Sequence, residues 1–374
     1  MPKYDYQKEK NMKQIEKTAE VLATLPPFTQ DFFVSYCRVV RGMSERTITE
    51  YAKDIRIFFQ YLLDQNPVLE HRMVNVTLEI IDRQSPKDLQ EFITYISVYK
   101  DSDGNTRVNG ASGLNRKVAA LRTFYKYYYT NGDIHNNPAS ILAAPHIKKK
   151  EIVHLEREES DELLTTVENP EKLTNNPKYA WAERTKYRDK AIITLLLGTG
   201  LRISECVSLN LKDISWKNRA MRVIRKGGNE QTIYFNKDVE DAITDYIKYE
   251  RKSPEEDVDA LFVSRKKQRM SVSAMERMVK KYASVAVPQK KITPHRLRAT
   301  FATELNKANK GNLMQVSVAL GHSSIETAKR YVAVSDQERQ LVSALTSWTH
   351  IFSPETEEEE PEQMTLEDCN KNGK

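Results

Sequence analysis

Thr293-Pro294-His295-Arg296-Leu297-Arg298-Ala299-Thr300-Phe301-Ala302-Thr303-Glu304-Leu305 reads as the opening of a helix. Thr293 suits the capping position and Pro294 the first helical one, where a missing N–H costs nothing and the fixed φ is already helical. Leu297, Phe301 and Leu305 recur every four residues, the spacing of a stripe that packs into a core and does no chemistry. His295 and Arg298, three apart, share another face near the positive end of the same helix, and that combination would hold an anion.

Upstream, Gly198-Thr199-Gly200-Leu201-Arg202-Ile203-Ser204-Glu205 follows the apolar run Ile192 to Leu197. Arg202 therefore sits where a buried helix ends, and taken alone it could simply cap the preceding carbonyls. Between these two strings, Asp213 to Phe235 holds short segments rich in Ile, Val, Met, Tyr and Phe, broken at Lys217-Asn218 and at Gly227-Gly228-Asn229. That pattern predicts a small antiparallel sheet among helices. Downstream, Leu320-Gly321-His322 closes one helix and Ser323-Ser324 can cap the next, in which Tyr331 falls two to three turns on. A lone histidine there would be structural and a lone tyrosine core. Further on, Leu341, Val342, Leu345 and Trp348 form a short apolar stripe that could pack on its own domain.

The first part of the chain predicts helices with little strand. Ile48, Tyr51, Ile55, Phe58 and Leu62 are spaced three and four apart behind a Ser/Thr-rich start. Ser85-Pro86 opens a second helix whose buried face is Leu89, Phe92, Ile93 and Ile96, and a third runs from about Leu114 to Tyr129 before Gly132 ends it. On that third helix Leu114, Val118, Leu121 and Tyr125 make the apolar stripe, while Arg116, Lys117, Arg122 and Lys126 are its basic side, read as either a solvated face or a contact surface. Pro145-His146-Ile147-Lys148-Lys149-Lys150 breaks the helical pattern with proline and concentrated charge. The expected division is thus an N-terminal extension (1–28), a helical domain (29–145), a basic linker (146–157), a mixed domain (158–350) and an acidic disordered tail (351–374).

Bulk properties narrow the function. The 374 residues suggest two domains, and no run approaches the eighteen apolar residues of a membrane span. The N-terminus has no signal-peptide core, so a cytoplasmic location is expected. Cys37, Cys206 and Cys369 lack the paired spacing of a zinc site or disulfide framework and are read as free thiols. The net charge of +6 understates the basic character: the segment 354–374 has eight acids against two lysines, leaving +12 on the rest. A polyanionic partner is one reading of that balance and solubility the other.

The strings GTGLRISE, TPHRLRATFATEL and LGHSSIETAKRYVAV, in this order and with nine positions from His322 to Tyr331, resemble the catalytic boxes of the tyrosine recombinase, or phage integrase, family. The resemblance spans about Thr29 to Ala344. It implies a mainly α fold with a small antiparallel β-sheet, made of an N-terminal helical core-binding domain and an α+β catalytic domain. The long first domain, the residues before Thr29 and the Lys172 to Lys186 stretch look most like the Xer recombinases, in their single-recombinase XerS branch. One departure is Ala299, where many relatives have histidine.

Carried over residue by residue, the resemblance makes Arg202 and Arg298 the arginines that bind the scissile phosphate, His295 and His322 the histidines beside it, Lys226 the hairpin lysine and Tyr331 the nucleophile. It implies cutting and rejoining of DNA through a 3′-phosphotyrosine, with no metal and no other cofactor. Two guanidiniums suit that chemistry, because they pair with phosphate oxygens bidentately and stay charged at any relevant pH. The implied partners are double-stranded DNA with inverted-repeat arms, clamped between the two domains, three further copies of the chain in a tetramer on two DNA sites, and a cell-division DNA translocase. Arg116, Lys117, Lys148, Lys149 and Lys150 are the expected DNA contacts. The implied role is chromosome dimer resolution at a dif-like site, with integration of a mobile element as the alternative. A type IB topoisomerase and an inactive DNA-binding protein are the rival classes.

Overall fold

The computed structural model describes residues 6–100, 104–146, 153–174, 181–225, 228–252, 259–308 and 313–320. The chain divides into two compact units, Met1–Glu151 and Ile152–Lys374. Both are mainly helical, and each described unit contains one small antiparallel sheet. Among the described residues no helix is long and apolar enough to cross a membrane.

In the first unit, α1 (Tyr6–Leu22) leads into a π-helical segment, Asp31–Val40. There follow α2 (Glu45–Gln65), α3 (Leu78–Asp82), α4 (Pro86–Ser97), the hairpin β1 (Val98–Lys100) and β2 (Thr106–Val108), and α5 (Ala111–Asn131). The helix starts have the chemistry expected of them: Ser44 accepts from the Thr47 N–H, and Ser85 and Asp88 form a reciprocal capping box with Pro86 at the first position. Gly132 closes α5 at φ +79°, a conformation that only glycine adopts without strain. The core is aromatic, with Phe32, Phe33, Phe58, Phe59, Phe92, Phe124 and Tyr125 fully enclosed. The hydroxyls of Tyr125 and Tyr128 donate to the carbonyls of Ile81 (3.2 Å) and Phe28 (3.0 Å), which removes the penalty of burying them. Residues ahead of Thr29 belong to this unit's packing: Thr18 is buried and its hydroxyl lies 2.9 Å from that of Thr49 on α2.

The second unit comprises α6 (Arg157–Glu168), α7 (Glu171–Thr174), α8 (Lys186–Thr199), α9 (Ile203–Ser208), a three-stranded meander of β3 (Ile214–Ser215), β4 (Ala220–Ile224) and β5 (Glu230–Tyr234), then α10 (Lys237–Tyr249), α11 (Val272–Ala286), α12 (Pro294–Ala308) and α13 (Leu313–Leu320). Every residue of α8 from Ala191 to Thr199 is buried, because α6, α10 and α12 pack around it. Its first turn holds a buried polar knot. The Asp189 carboxylate, with no exposure, accepts from Arg188 (2.7 Å), Thr185 (3.1 Å), Tyr282 (3.0 Å) and Lys281 (3.3 Å). A buried charge survives at such a place because its oxygens are saturated with donors. The knot ties α8 to α11, and the other end of α8 delivers the site.

Candidate active site

Helix α8 stops at Gly200, which takes φ +62° and whose N–H bonds back to Leu196. A β-carbon added there would lie 2.4 Å from the Phe301 ring, so glycine is required both by the left-handed turn and by the close approach of α12. Two residues later Arg202 caps α9, and Glu205 one turn on completes a reciprocal pair. The Arg202 N–H donates to Glu205 Oε2 (2.9 Å) and its Nη1 to Oε1 (2.8 Å). Arg202 does not cap the preceding carbonyls. Its side chain stays 40% exposed while Glu205 is 4% exposed, an arrangement in which a buried carboxylate aims an accessible guanidinium.

The group that does bind the end of α8 is Arg298. Its Nη1 donates to the Gly200 carbonyl, 98 positions away in sequence, and its Nη2 to the Leu320 carbonyl at 2.6 Å. Arg298 is near the start of α12, as the sequence predicts, and Leu297, Phe301 and Leu305 are all buried on that helix. His295, three residues earlier on the first turn, is exposed. Burial and then the neighbouring Arg202 pull the Arg298 guanidinium down to about 10, with Glu205 opposing. It therefore remains charged at neutral pH.

A third guanidinium belongs to the same cluster and was not among the residues singled out in sequence. Arg225, at the end of β4, donates from Nη1 to the Leu320 carbonyl (2.6 Å) and lies 3.7 Å from Glu205. Burial lowers its pKa, with Glu205 opposing. Three guanidiniums around one buried carboxylate leave an excess of positive charge, which an anionic phosphate can neutralise. Glu205 was legible only as the last letter of GTGLRISE. Arg225 had a weaker signal, its place beside the hairpin lysine. Lys226, His322 and Tyr331, and with them the stripe Leu341 to Trp348, lie outside the described residues.

In the first unit the expected DNA contacts separate. Arg116 is 38% exposed and pairs with Glu50 and Asp54, each at 3.0 Å. Lys117, its neighbour in sequence, has a side chain only 8% exposed and is held 3.5 Å from Asp54, which is itself buried. Both were expected to contact DNA, on a basic side read as either a solvated face or a contact surface. The solvated alternative fails for Lys117, because α5 turns that position toward α2 and its ammonium is committed to a buried carboxylate. Burial pushes the Asp54 carboxyl up to about 6, and Lys117 and Arg116 limit the rise. Lys148, Lys149 and Lys150 lie outside the described residues.

Comparison with known proteins agrees with this geometry. Residues 155–338 match the phage integrase family, and residues 31–132 match the phage integrase N-terminal SAM-like domain. The tyrosine recombinase XerC of Caldanaerobacter subterraneus subsp. tengcongensis is 34% identical over 322 residues, which cover 84% of each chain. The tyrosine recombinase XerS of Streptococcus sanguinis is 30% identical over 357 residues, covering 88% of this chain and 98% of the relative. Among solved structures, that of the XerH site-specific recombinase bound to a palindromic difH substrate matches with a TM-score of 0.60 at 20% identity, covering 89% of each chain, a likeness of fold. With the helical SAM-like unit, the mixed catalytic unit and the arginine cluster in place, the chain belongs to the phage integrase family: it is a tyrosine site-specific recombinase, an enzyme that cleaves and rejoins DNA.

Proposed function

We propose that this recombinase works as a Xer protein, resolving chromosome dimers at a dif-like site, and that Tyr331 is its nucleophile. The observation that carries the catalytic part is the convergence of Arg202 and Arg298 on the Gly200–Glu205 turn, with His295 exposed three residues before Arg298 on α12. The Xer part is supported by relatives of that name at 34% and 30% identity over most of the chain.

In this reading the phenolic oxygen of Tyr331 attacks the scissile phosphorus and forms a phosphotyrosine on the 3′ side, while the bond to the 5′ oxygen breaks. The phenol, with a reference pKa of about 10, gives its proton to His295, and Lys226 supplies one to the departing 5′ oxygen. Arg202 and Arg298 neutralise the charge that builds on the non-bridging oxygens, and His322 orients the phosphate by a hydrogen bond. The covalent bond conserves the energy of the one it replaces, so a 5′ hydroxyl from another strand reverses the attack and no ATP is consumed. Arg116 and the linker Lys148 to Lys150 bind DNA phosphates in the cytoplasm. Four copies assemble on two DNA sites with inverted-repeat arms, the apolar stripe Leu341 to Trp348 docking on a neighbouring copy, and a DNA translocase brings the sites together.

Two experiments test this. Tyr331→Phe is expected to abolish covalent adducts on a nicked substrate while retaining DNA binding, and adducts that persist refute the nucleophile. Mapping of cleavage across the host genome is expected to give one site near the replication terminus. Cleavage at the ends of a mobile element would replace the Xer role with integration.

A further inference from the structure

Arg225 is held in a way that packing alone does not require. Its backbone closes the hairpin turn between β4 and β5: the N–H donates to the Asn229 carbonyl (2.8 Å), and its own carbonyl accepts from the Gly228 N–H (3.1 Å). Its side chain, 8% exposed, reaches away from the turn to the last carbonyls of α13, at Leu320 (2.6 Å) and Ala319 (3.5 Å), and to Glu205 at 3.7 Å. Those carbonyls belong to the last described turn of α13, and a backbone carbonyl can accept from a guanidinium N–H. The cost is large, since a guanidinium has been taken out of water and its Nε is buried with no hydrogen-bond partner among the described residues. An apolar residue would pack the same space at lower cost.

What the guanidinium adds is a mechanical link. The Leu320 carbonyl accepts from both Arg225 and Arg298, and Glu205 interacts with both Arg225 and Arg202. The end of β4 is thereby tied to the two arginines of the phosphate site through a shared carbonyl and a shared carboxylate. The residue that follows Arg225 in the chain is Lys226. We propose that Arg225 is a positioning residue of strand cleavage, whose side chain fixes the base of the β4–β5 turn to α13 and to Glu205 so that Lys226 starts from a set point relative to the phosphate-binding arginines. This rests on the reading of Lys226 as proton donor to the 5′ oxygen.

The test uses that proton transfer, in the full-length protein. A nicked DNA substrate is prepared with oxygen or with sulfur at the 5′ bridging position, and single-turnover cleavage is measured for wild type, Arg225→Gln, Arg225→Lys and Lys226→Gln. A thiolate leaves without a proton, because thiols ionise at a pKa of about 8.5, so sulfur removes the need for the donor. Both Arg225 variants are expected to slow cleavage of the oxygen substrate by about 100-fold, the lower range for loss of a positioned acid, and to return to within about fivefold of wild type on sulfur. Lysine does not substitute, because one ammonium cannot span two carbonyls and a carboxylate. Rescue of Lys226→Gln without rescue of the Arg225 variants overturns the inference and leaves the lysine reading intact. Failure of sulfur to rescue any of them overturns the lysine reading and the inference with it. An unchanged rate on oxygen, or loss of DNA binding by both Arg225 variants, also refutes the positioning role, since an anchor of one turn is needed for neither the fold nor affinity.

Discussion

Replacing Gly200 with alanine probes the joint on which the site is built. The backbone there has φ +62°, and an L-residue in the left-handed region costs about 1 kcal/mol or more. The new methyl would lie 2.4 Å from Cδ1 of Phe301 and 3.0 Å from Cγ, so the ring cannot escape by swinging a flexible tip. Phe301 is 3% exposed and overpacking of such a site costs about 1–3 kcal/mol, giving about 2–4 kcal/mol in all. All three tryptophans, Trp181, Trp216 and Trp348, belong to the second unit, so fluorescence during urea unfolding reports on that unit. The steric part is separated by a cycle with Phe301→Leu: shrinking the ring is expected to return about 1–2 kcal/mol of the alanine penalty, the size of coupling seen between residues in contact. Cleavage should also slow, because the Gly200 carbonyl is the acceptor that holds Arg298. An alanine variant as stable as wild type, or a strictly additive double variant, would refute this account of the turn.

Other outcomes follow from the same contacts. Asp189→Asn leaves Arg188 and Lys281 without their buried counter-charge and is expected to destabilise the second unit by about 3–5 kcal/mol, read from the same tryptophan signal. Burial raises the thiol of Cys37 to about 12 and that of Cys206 further, from an ordinary value near 9. Since the thiolate is the reactive form and forms only as pH approaches the pKa, both should resist iodoacetamide at pH 8 in the native protein and react on unfolding, as mass spectrometry of the peptides can show. Arg116→Ala should reduce the salt slope of DNA binding by about 0.9, one phosphate contact, whereas Lys117→Met should leave the slope unchanged; an equal effect of both would place Lys117 at the DNA after all.

Much of the fold was legible because local chemistry and burial agree. Ser44, Ser85 with Pro86, and Gly132 mark real helix ends, and the turns at Lys217-Asn218 and Gly228-Asn229 separate the expected strands. The π-helical stretch Asp31–Val40 escaped, since the spacing of Phe32, Phe33 and Cys37 is equally that of an α-helix. So did the β1–β2 hairpin, whose β2 strand is exposed throughout and carries no buried alternation. Arg116 and Lys117 differ by one position and both reach Asp54, yet the angle of α5 against α2 leaves Arg116 38% exposed and encloses Lys117. At the site, Arg202 and Arg298 stood in recognisable strings, but the role of Arg225 depends on a contact 95 positions away, and the carboxylate that pairs with Arg202 and Arg225 looked like an ordinary helical glutamate.

Strand cleavage as proposed leaves a covalent bond between this chain and the 3′ end of cut DNA at one tyrosine out of eighteen. Trapping the adduct on a nicked substrate, digesting both components and sequencing the nucleotide-bearing peptide by mass spectrometry tests it most directly. The expected result is a single modified residue, Tyr331, joined through a 3′ phosphate. A nucleotide on any other residue, or a link through a 5′ phosphate, would contradict it.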